Sequence, residues 1–118
     1  MSNAMDKLIL YQKFCDLIIY SFPIIGRFPQ IYRFTLAQQI QNCMLDIVKL
    51  IVHANKLTTE KRTEMMILID VELEKLKVLL RIAVELGPLS RQSYGVHCER
   101  IVEICKIFGG WSKTTKGA

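Results

Sequence analysis

The feature that most constrains this fold is the three-and-four spacing of apolar residues over long stretches that glycine and proline seldom interrupt. Two stretches carry it most clearly, one over residues 36–54 and one over residues 66–83. Strand-rich folds need turn residues every few positions, so this pattern predicts an all-α chain. The apolar positions of the two stretches are Leu36, Ile40, Cys43, Ile47, Leu50 and Ala54, and Met66, Ile69, Leu73, Leu76, Leu80 and Ala83.

The first half of the chain predicts two helices separated by a loop. The first helix is predicted over residues 6–22, because Pro23 has no amide hydrogen with which to continue it. A loop punctuated by proline and glycine follows over residues 23–29. The second helix is predicted to begin with Thr35 as its N-cap and to end at residue 55 or 56.

The second half predicts two more helices. The third starts after Thr58-Thr59 and stops at Gly87-Pro88, and the fourth starts with Ser90 as its N-cap and stops at Gly109-Gly110. Short connections make neighbouring helices antiparallel, so we predict an up-down-up-down four-helix bundle. The residues of the fourth helix predicted to face the core are Tyr94, Cys98, Ile101, Cys105 and Phe108.

A chain of 118 residues has room for one such core. We predict a bundle domain over residues 5–111, a basic flexible tail over residues 112–118, and an expression-tag remnant at residues 1–4. Lys13 and Asp16 interrupt the first apolar run, and no stretch approaches the ~18 uncharged apolar residues that span a bilayer. We therefore expect a cytoplasmic protein without a membrane partner.

The four cysteines show no CxxC pair, and Cys98 and Cys105 lie seven residues apart on one predicted helix. That spacing separates their Cα atoms by roughly 10 Å, which is too far for a disulfide. Reduced thiols in the core are the simplest interpretation, and we expect no metal site and no cofactor.

The second and third helices carry more apolar residues than one buried face requires. This excess favours a homo-oligomer, in which both helices pack between subunits, over a monomer with broad buried stripes. The additional residues are Met44, Leu45, Val48, Ile51 and Val52 on the second helix, and Met65, Leu68, Val78, Leu79, Ile82 and Leu86 on the third.

The net charge of +5 lies mainly in the first loop and the tail, which makes Arg27, Arg33, Lys113 and Lys116 candidates for binding polyanions. Arg91 shares the first loop's end of the bundle. The opposite end receives the tail together with Lys56, Lys61 and Arg62. A merely solubilising surface is the alternative. The aromatic residues Phe28, Tyr32 and Phe34 fit a plug over the bundle end better than a platform that stacks on bases.

No motif of a phosphate-binding loop, metalloprotease or serine hydrolase occurs, and we expect no catalytic residues. One enzymatic pattern remains open: Arg91 and His97 fit the loose R-x(4–6)-H signature of HEPN-type ribonucleases. A six-residue interval between arginine and histidine arises easily by chance, so this pattern is weak.

Four segments in register resemble the accessory (Avd) proteins of diversity-generating retroelements and the related four-helix proteins encoded in intervening sequences of bacterial 23S rRNA genes. Together they cover nearly all of residues 5–113. They are Arg27-Phe28-Pro29 with Arg33-Phe34-Thr35-Leu36; Leu76-Lys77-Val78-Leu79-Leu80-Arg81-Ile82-Ala83; Leu89-Ser90 with Gln92 and Tyr94; and Phe108-Gly109-Gly110-Trp111.

This resemblance implies a four-helix bundle assembled as a barrel-shaped homopentamer that binds RNA and DNA. It further implies association with a retroelement reverse transcriptase during mutagenic retrohoming, and no small-molecule substrate. By position, Arg33, Arg81 and Arg91 are the residues implied to contact nucleic acid or polymerase. A structural or protein-interaction bundle of the rRNA intervening-sequence type, without a retroelement role, is the alternative.

Overall fold

Helices form all the regular structure in the part of the chain that the structure describes. The structure is a computed structural model that describes the backbone of residues 2–117 and the side chains of residues 7–58 and 60–113. The all-α prediction is confirmed. The elements are α1 (Ser2–Ile25), α2 (Gln30–Tyr32), a π-helical turn (Arg33–Ala37), α3 (Gln38–Asn55), α4 (Thr59–Leu86) and α5 (Arg91–Gly117).

The four long helices form the predicted antiparallel bundle. α1 packs against α3 and α5, and α4 packs against the same two helices from the other side. Between α1 and α5, Lys13 pairs with Glu103 and Tyr20 bonds Ser93, so the two helices run in opposite directions. The bundle is 46 Å long, close to the length of α4 alone.

One row of apolar side chains from each helix builds the core. The predicted stripe of α4 is confirmed in full, since all six of its residues are buried. Burial of a large apolar side chain stabilises the fold by about 1.5–3 kcal/mol. The largest buried side chains are Leu10, Phe14, Leu17, Ile25, Ile40, Met44, Ile47, Ile51, Met66, Ile69, Leu73 and Trp111.

The predicted end of the first helix is wrong, because α1 continues through Pro23 to Ile25. A proline inside a helix loses the bond to the carbonyl four residues earlier, here that of Ile19. Because Pro23 lies in the last turn, the helix loses only this one hydrogen bond. The Gly26 amide still donates to the Phe22 carbonyl at 2.8 Å.

The second helix begins earlier than predicted, and Thr35 is not its N-cap. The helical path starts after Pro29, whose extended ψ of 151° precedes Gln30. A π-helical turn over Arg33–Ala37 then joins α2 to α3 without a break, and Thr35 lies within it. The predicted end at residue 55 is confirmed.

The predicted end of the third helix is confirmed, and its start lies one residue earlier than predicted. α4 begins after Thr58, whose backbone is extended, and the first turn contains Glu60. It ends at Gly87, where φ is +109° and the amide donates to the Ala83 carbonyl at 3.1 Å. Only glycine adopts this left-handed conformation at little cost, so Gly87 stops the helix.

The fourth helix starts as predicted but continues past its predicted end. The Ser93 amide donates to the Ser90 hydroxyl at 3.1 Å, which confirms Ser90 as the N-cap. The stop predicted at Gly109-Gly110 is wrong, because α5 extends to Gly117 and buries Trp111 completely.

The buried face of α5 is also rotated relative to the prediction. Ile101 and Phe108 are buried as expected, whereas Tyr94, Cys98 and Cys105 are only half-buried. The other buried side chains on this face are Ser93, His97, Ile104 and Trp111.

By length and hydropathy alone, one described segment, Lys7–Ile25, could cross a membrane. Core helices pass the same test. Leu10, Phe14 and Leu17 of this segment are buried inside the bundle.

Candidate nucleic-acid interface

One end of the bundle is built by the chain between α1 and α3. There the turn at residues 26–29 places Phe28 under the bundle end, where its side chain is 2% exposed. Phe28 is therefore the predicted plug, with Tyr32 half-buried beside the core. Phe34 is not part of the plug, because its side chain is 75% exposed.

Two arginines of this connection lie at the surface. Arg27 folds back on α1, where its Nε donates to the Pro23 carbonyl at 3.0 Å and satisfies one acceptor near the helix end. Arg33 is exposed at the start of the π-helical turn. It has no ion pair with any side chain that the structure describes, so its charge faces solvent.

The other two candidate arginines at this end share a shallow cavity. Arg81, near the end of α4, and Arg91, the first residue of α5, line a depression of about 390 Å³ together with Val84, Glu85 and Tyr94. Arg81 bonds Glu85 at 3.1 Å. Both side chains of this pair are about two-thirds exposed, and such pairs contribute little stability and are easily exchanged for another anion.

Because α1 and α4 end where α3 and α5 begin, the topology brings these four arginines to one end of the molecule. We call Arg27, Arg33, Arg81 and Arg91 the basic end. Lys113 is not part of it. Twenty-two residues of helix separate Lys113 from Arg91, or about 33 Å, and Lys113 lines a cavity with Asp70 and Glu74 instead. The side chain of Lys116 lies outside the described residues.

At the opposite end, Arg62 is not the exposed cation that its position predicts. Its side chain is 7% exposed, and its guanidinium donates to the carbonyls of Ala54 and Leu57, each at 3.0 Å. The charge therefore caps the carboxyl end of α3, where the helix dipole favours a cation. Lys56 and Lys61 remain exposed there.

The histidine of the Arg91–His97 pattern is fully buried. Its Nδ1 lies 2.8 Å from the Ser93 carbonyl, and its Nε2 lies 2.9 Å from the Ser21 hydroxyl. This arrangement fits an Nδ1–H donor and an Nε2 that accepts from Ser21. Burial lowers the pKa of His97, and Arg100 lowers it further, against the opposing effect of the Ser93 carbonyl. The imidazole is thus a neutral group that joins α5 to α1.

Sequence reasoning missed Ile31 and assigned Phe34 to the plug, whereas both side chains are exposed beside the basic end, by 76% and 75%. The helical path from Gln30 explains their exposure. Phe28, Tyr32 and Leu36 follow one another at four-residue steps on the inner face, whereas Ile31 and Phe34 lie three apart on the outer face. The sequence would have indicated this exposure only if a helical period had been applied to the segment before Thr35, which was interpreted as a loop.

The described residues contain no group of three side chains able to hold a metal ion. All four cysteines are free, but only Cys43 is fully buried. Burial, with the nearby Glu72 carboxylate, raises the pKa of the Cys43 thiol to about 12. Cys43 therefore remains a protonated thiol that donates to the Glu72 carbonyl at 3.3 Å.

Fold and surface together define a small helical-bundle protein with arginines and an exposed aromatic residue gathered at one end. A family model described as bAvd-like matches residues 8–115, and the chain belongs to the bAvd-like family. The resemblance to Avd proteins that the four segments indicate is thereby confirmed. A search of curated proteins found no match.

Proposed function

We propose that this chain is a non-enzymatic, nucleic-acid-binding accessory protein of a diversity-generating retroelement. In this proposal it acts in the cytoplasm as a homo-oligomer and associates with the reverse transcriptase of the element. Family membership supports the accessory role. The observation that carries nucleic-acid binding is the basic end, where exposed arginines share one end of the bundle with the exposed Phe34.

The mechanism of binding is electrostatic. Arginine side chains contact phosphate oxygens, and the release of condensed counterions supplies most of the affinity. Phosphate contacts carry no base readout, so binding is largely independent of sequence. Phe34 supplies a flat apolar surface on which an unpaired base stacks.

Oligomerisation strengthens such binding, because each added subunit contributes another basic end to the same particle. Exposed apolar side chains on α4 support self-association, since large apolar patches on a small protein mark interaction sites. The pentameric number follows from the family resemblance.

A second candidate function is a structural or protein-interaction bundle of the rRNA intervening-sequence type, with no affinity for nucleic acid. One observation favours it. Arg81 and Arg27 already have partners within the chain, Glu85 and the Pro23 carbonyl, which leaves less cationic surface for a polyanion.

The geometry of His97 does not support the ribonuclease alternative. A general acid or base must reach the proton that it transfers, yet this imidazole is fully buried with both nitrogens bonded inside the bundle. We expect RNA to remain intact after long incubation. Cleavage that disappears in His97→Ala would overturn this assignment.

A salt titration tests the proposed function. Binding of a labelled single-stranded RNA is measured by fluorescence anisotropy between 50 and 200 mM salt, where affinity is expected to fall steeply. The double variant Arg33→Glu/Arg91→Glu is expected to reduce the slope of log K against log salt by about 1.4, equivalent to two phosphate contacts.

The matched control is Lys49→Glu together with Lys56→Glu, which changes charge by the same amount at exposed positions toward the far end of α3, away from the basic end and from α4. An equal loss of RNA affinity in the control variant would show that RNA binds away from the basic end. Absence of RNA binding at the lowest salt would defeat the proposal. Association with the polymerase is checked by co-purification with the reverse transcriptase of the element.

A further inference from the structure

The outward face of α4 is apolar over most of its length. The exposed apolar side chains of α4 fall within a sector of about 100° when the helix is viewed end-on. This sector lies on the side away from the buried stripe. Every one of them is at least 40% exposed. We call this set the α4 ridge: Ile67, Leu68, Val71, Val78, Ile82 and Leu86.

A groove follows the seam between α4 and α5. Three cavities of about 500, 190 and 390 Å³ succeed one another along it. The first and second adjoin at Lys77, and the second and third adjoin at Tyr94, so the three cavities form a row. We call it the α4–α5 groove.

Small side chains keep this groove open on the α5 side. Residues at alternating intervals of three and four have the spacing that lets a second helix pack alongside. None of them is larger than valine, so α5 presents only small side chains along some 25 Å of this face. They are Gly95, Cys98, Val102, Cys105, Gly109 and Ser112.

The bundle itself does not require the glycines of this set. A Cβ atom built on Gly95 or Gly109 would meet nothing within 4 Å. Glycine inside a helix lowers the equilibrium constant for helix formation about four- to fivefold relative to alanine. A close approach from outside the chain accounts for two such costly residues on one exposed face.

We infer that the α4 ridge of one copy packs into the α4–α5 groove of a second copy. The inference rests on the homo-oligomer of the proposed function and names the surfaces that build it. Ridge and groove are similar in length, since Ile67 to Leu86 spans about 28 Å and Gly95 to Ser112 about 25 Å. The two surfaces meet at Ile67, which lines the first cavity, and otherwise use different residues. Each copy therefore offers a ridge to one neighbour and a groove to another, as in a closed ring.

Charge at the rim agrees with this pairing. In a ring whose axis follows the bundle, the first turns of α4 lie beside the last turns of the neighbouring α5. Glu60 and Glu64 of one copy then face Lys106 and Lys113 of the next. All four side chains are exposed, and none forms an ion pair with a described residue of its own chain.

Sedimentation velocity at micromolar concentration tests the inference with two variants, Val78→Glu on the ridge and Gly109→Leu in the groove. Each is expected to raise the dissociation constant between subunits more than about tenfold and to shift the particle toward the 13.6 kDa monomer. Helical circular dichroism is expected to persist, because Val78 is 57% exposed and the space beside Gly109 is open.

The matched control is Ile19→Glu, which places the same charge on an apolar residue of α1 that is 70% exposed and is expected to leave the oligomer intact. If the wild type is oligomeric and both test variants keep its mass, the inference is overturned while self-association stands. Dissociation of Ile19→Glu alone would overturn it too and move the contact to α1. A monomeric wild type would overturn the proposed homo-oligomer as well.

A charge-reversal pair tests how α4 of one copy is aligned with α5 of its neighbour. Glu64→Lys is expected to weaken assembly by a few-fold, and adding Lys106→Glu is expected to recover it. Additive losses in the double variant would contradict the parallel arrangement of neighbours.

Discussion

The guanidinium of Arg62 lies over the indole ring of Trp111, with its central carbon 5.7 Å from the ring centroid. The same guanidinium bonds two carbonyls at the end of α3. This contact joins the end of α3 and the start of α4 to the last turns of α5, beyond the two glycines where a helix would be expected to stop. We therefore expect Trp111 to be a main stabilising residue at this end.

Trp111→Ala is expected to lower the free energy of unfolding by about 3–5 kcal/mol, because it leaves a large cavity under Arg62. Urea denaturation at fixed protein concentration measures the loss. Lys61→Ala, at an exposed position next to Arg62, is expected to change stability by less than about 0.5 kcal/mol. Equal effects of the two substitutions would argue against the buried position of the indole.

Stability is expected to fall in mildly acidic solution because of His97. Its pKa in the folded chain is lowered from the ordinary value of 6.5, so the unfolded chain binds the proton more readily. The contribution of neutral His97 to the free energy of unfolding is therefore complete above pH 6.5. It is lost progressively as the pH falls from 6.5 toward the pKa of His97 in the folded chain. Thermal melts at pH 7.5 and 5.5 should show the loss in the wild type.

His97→Gln is expected to be less stable at pH 7.5 and to lose less stability than the wild type when the pH falls to 5.5. His53→Gln changes an exposed histidine and serves as the control. If His97→Gln and the wild type lost the same stability over this range, another group would be responsible.

Gly87→Ala is expected to destabilise the fold by about 1 kcal/mol or more, because φ at this position is +109°. Gly87→Asn should cost less, since asparagine tolerates left-handed backbone better than other residues with a side chain. A β-branched residue such as valine should cost most. Chemical denaturation of the three variants checks this order, and a reversed order of alanine and asparagine would contradict it.

Phe34→Ala is expected to weaken binding of single-stranded RNA roughly 5- to 150-fold, because stacking of one base on an aromatic ring contributes about 1–3 kcal/mol. Duplex RNA, whose bases are already stacked, should bind nearly as before. Phe34→Trp preserves the platform and is expected to retain affinity. An equal loss for single strands and duplexes would show that Phe34 supports the local fold instead.

Much of the bundle could be predicted because the spacing of apolar residues and the capping residues indicate the same helices. The stripe from Met66 to Ala83, the N-cap Ser90 and the stop at Gly87 each have a local physical cause that is visible in the sequence. The errors lie where tertiary packing overrides local propensity. Pro23 and the glycines 109 and 110 weaken a helix locally, yet both helices continue because Ile25 and Trp111 are buried beyond them.

The candidate site was less predictable because exposure depends on which way a side chain points. Arg33 and Arg62 look alike in the sequence as arginines near helix ends. The Arg62 guanidinium donates hydrogen bonds to backbone carbonyls, whereas Arg33 has no ion pair with the described residues. Only three-dimensional packing separates the two roles.

The seam between α1 and α5 joins parts of the chain that are far apart in sequence. Tyr20 and Ser93 are 73 residues apart, and Ser21 and His97 are 76 apart. Contacts across such distances carry the largest loop-closure entropy. We therefore expect the first and last helices to come together late in folding, after the hairpin of α3 and α4 has formed. The same seam should open first under strain, and its hydrogen-bonded histidine makes that opening sensitive to protons.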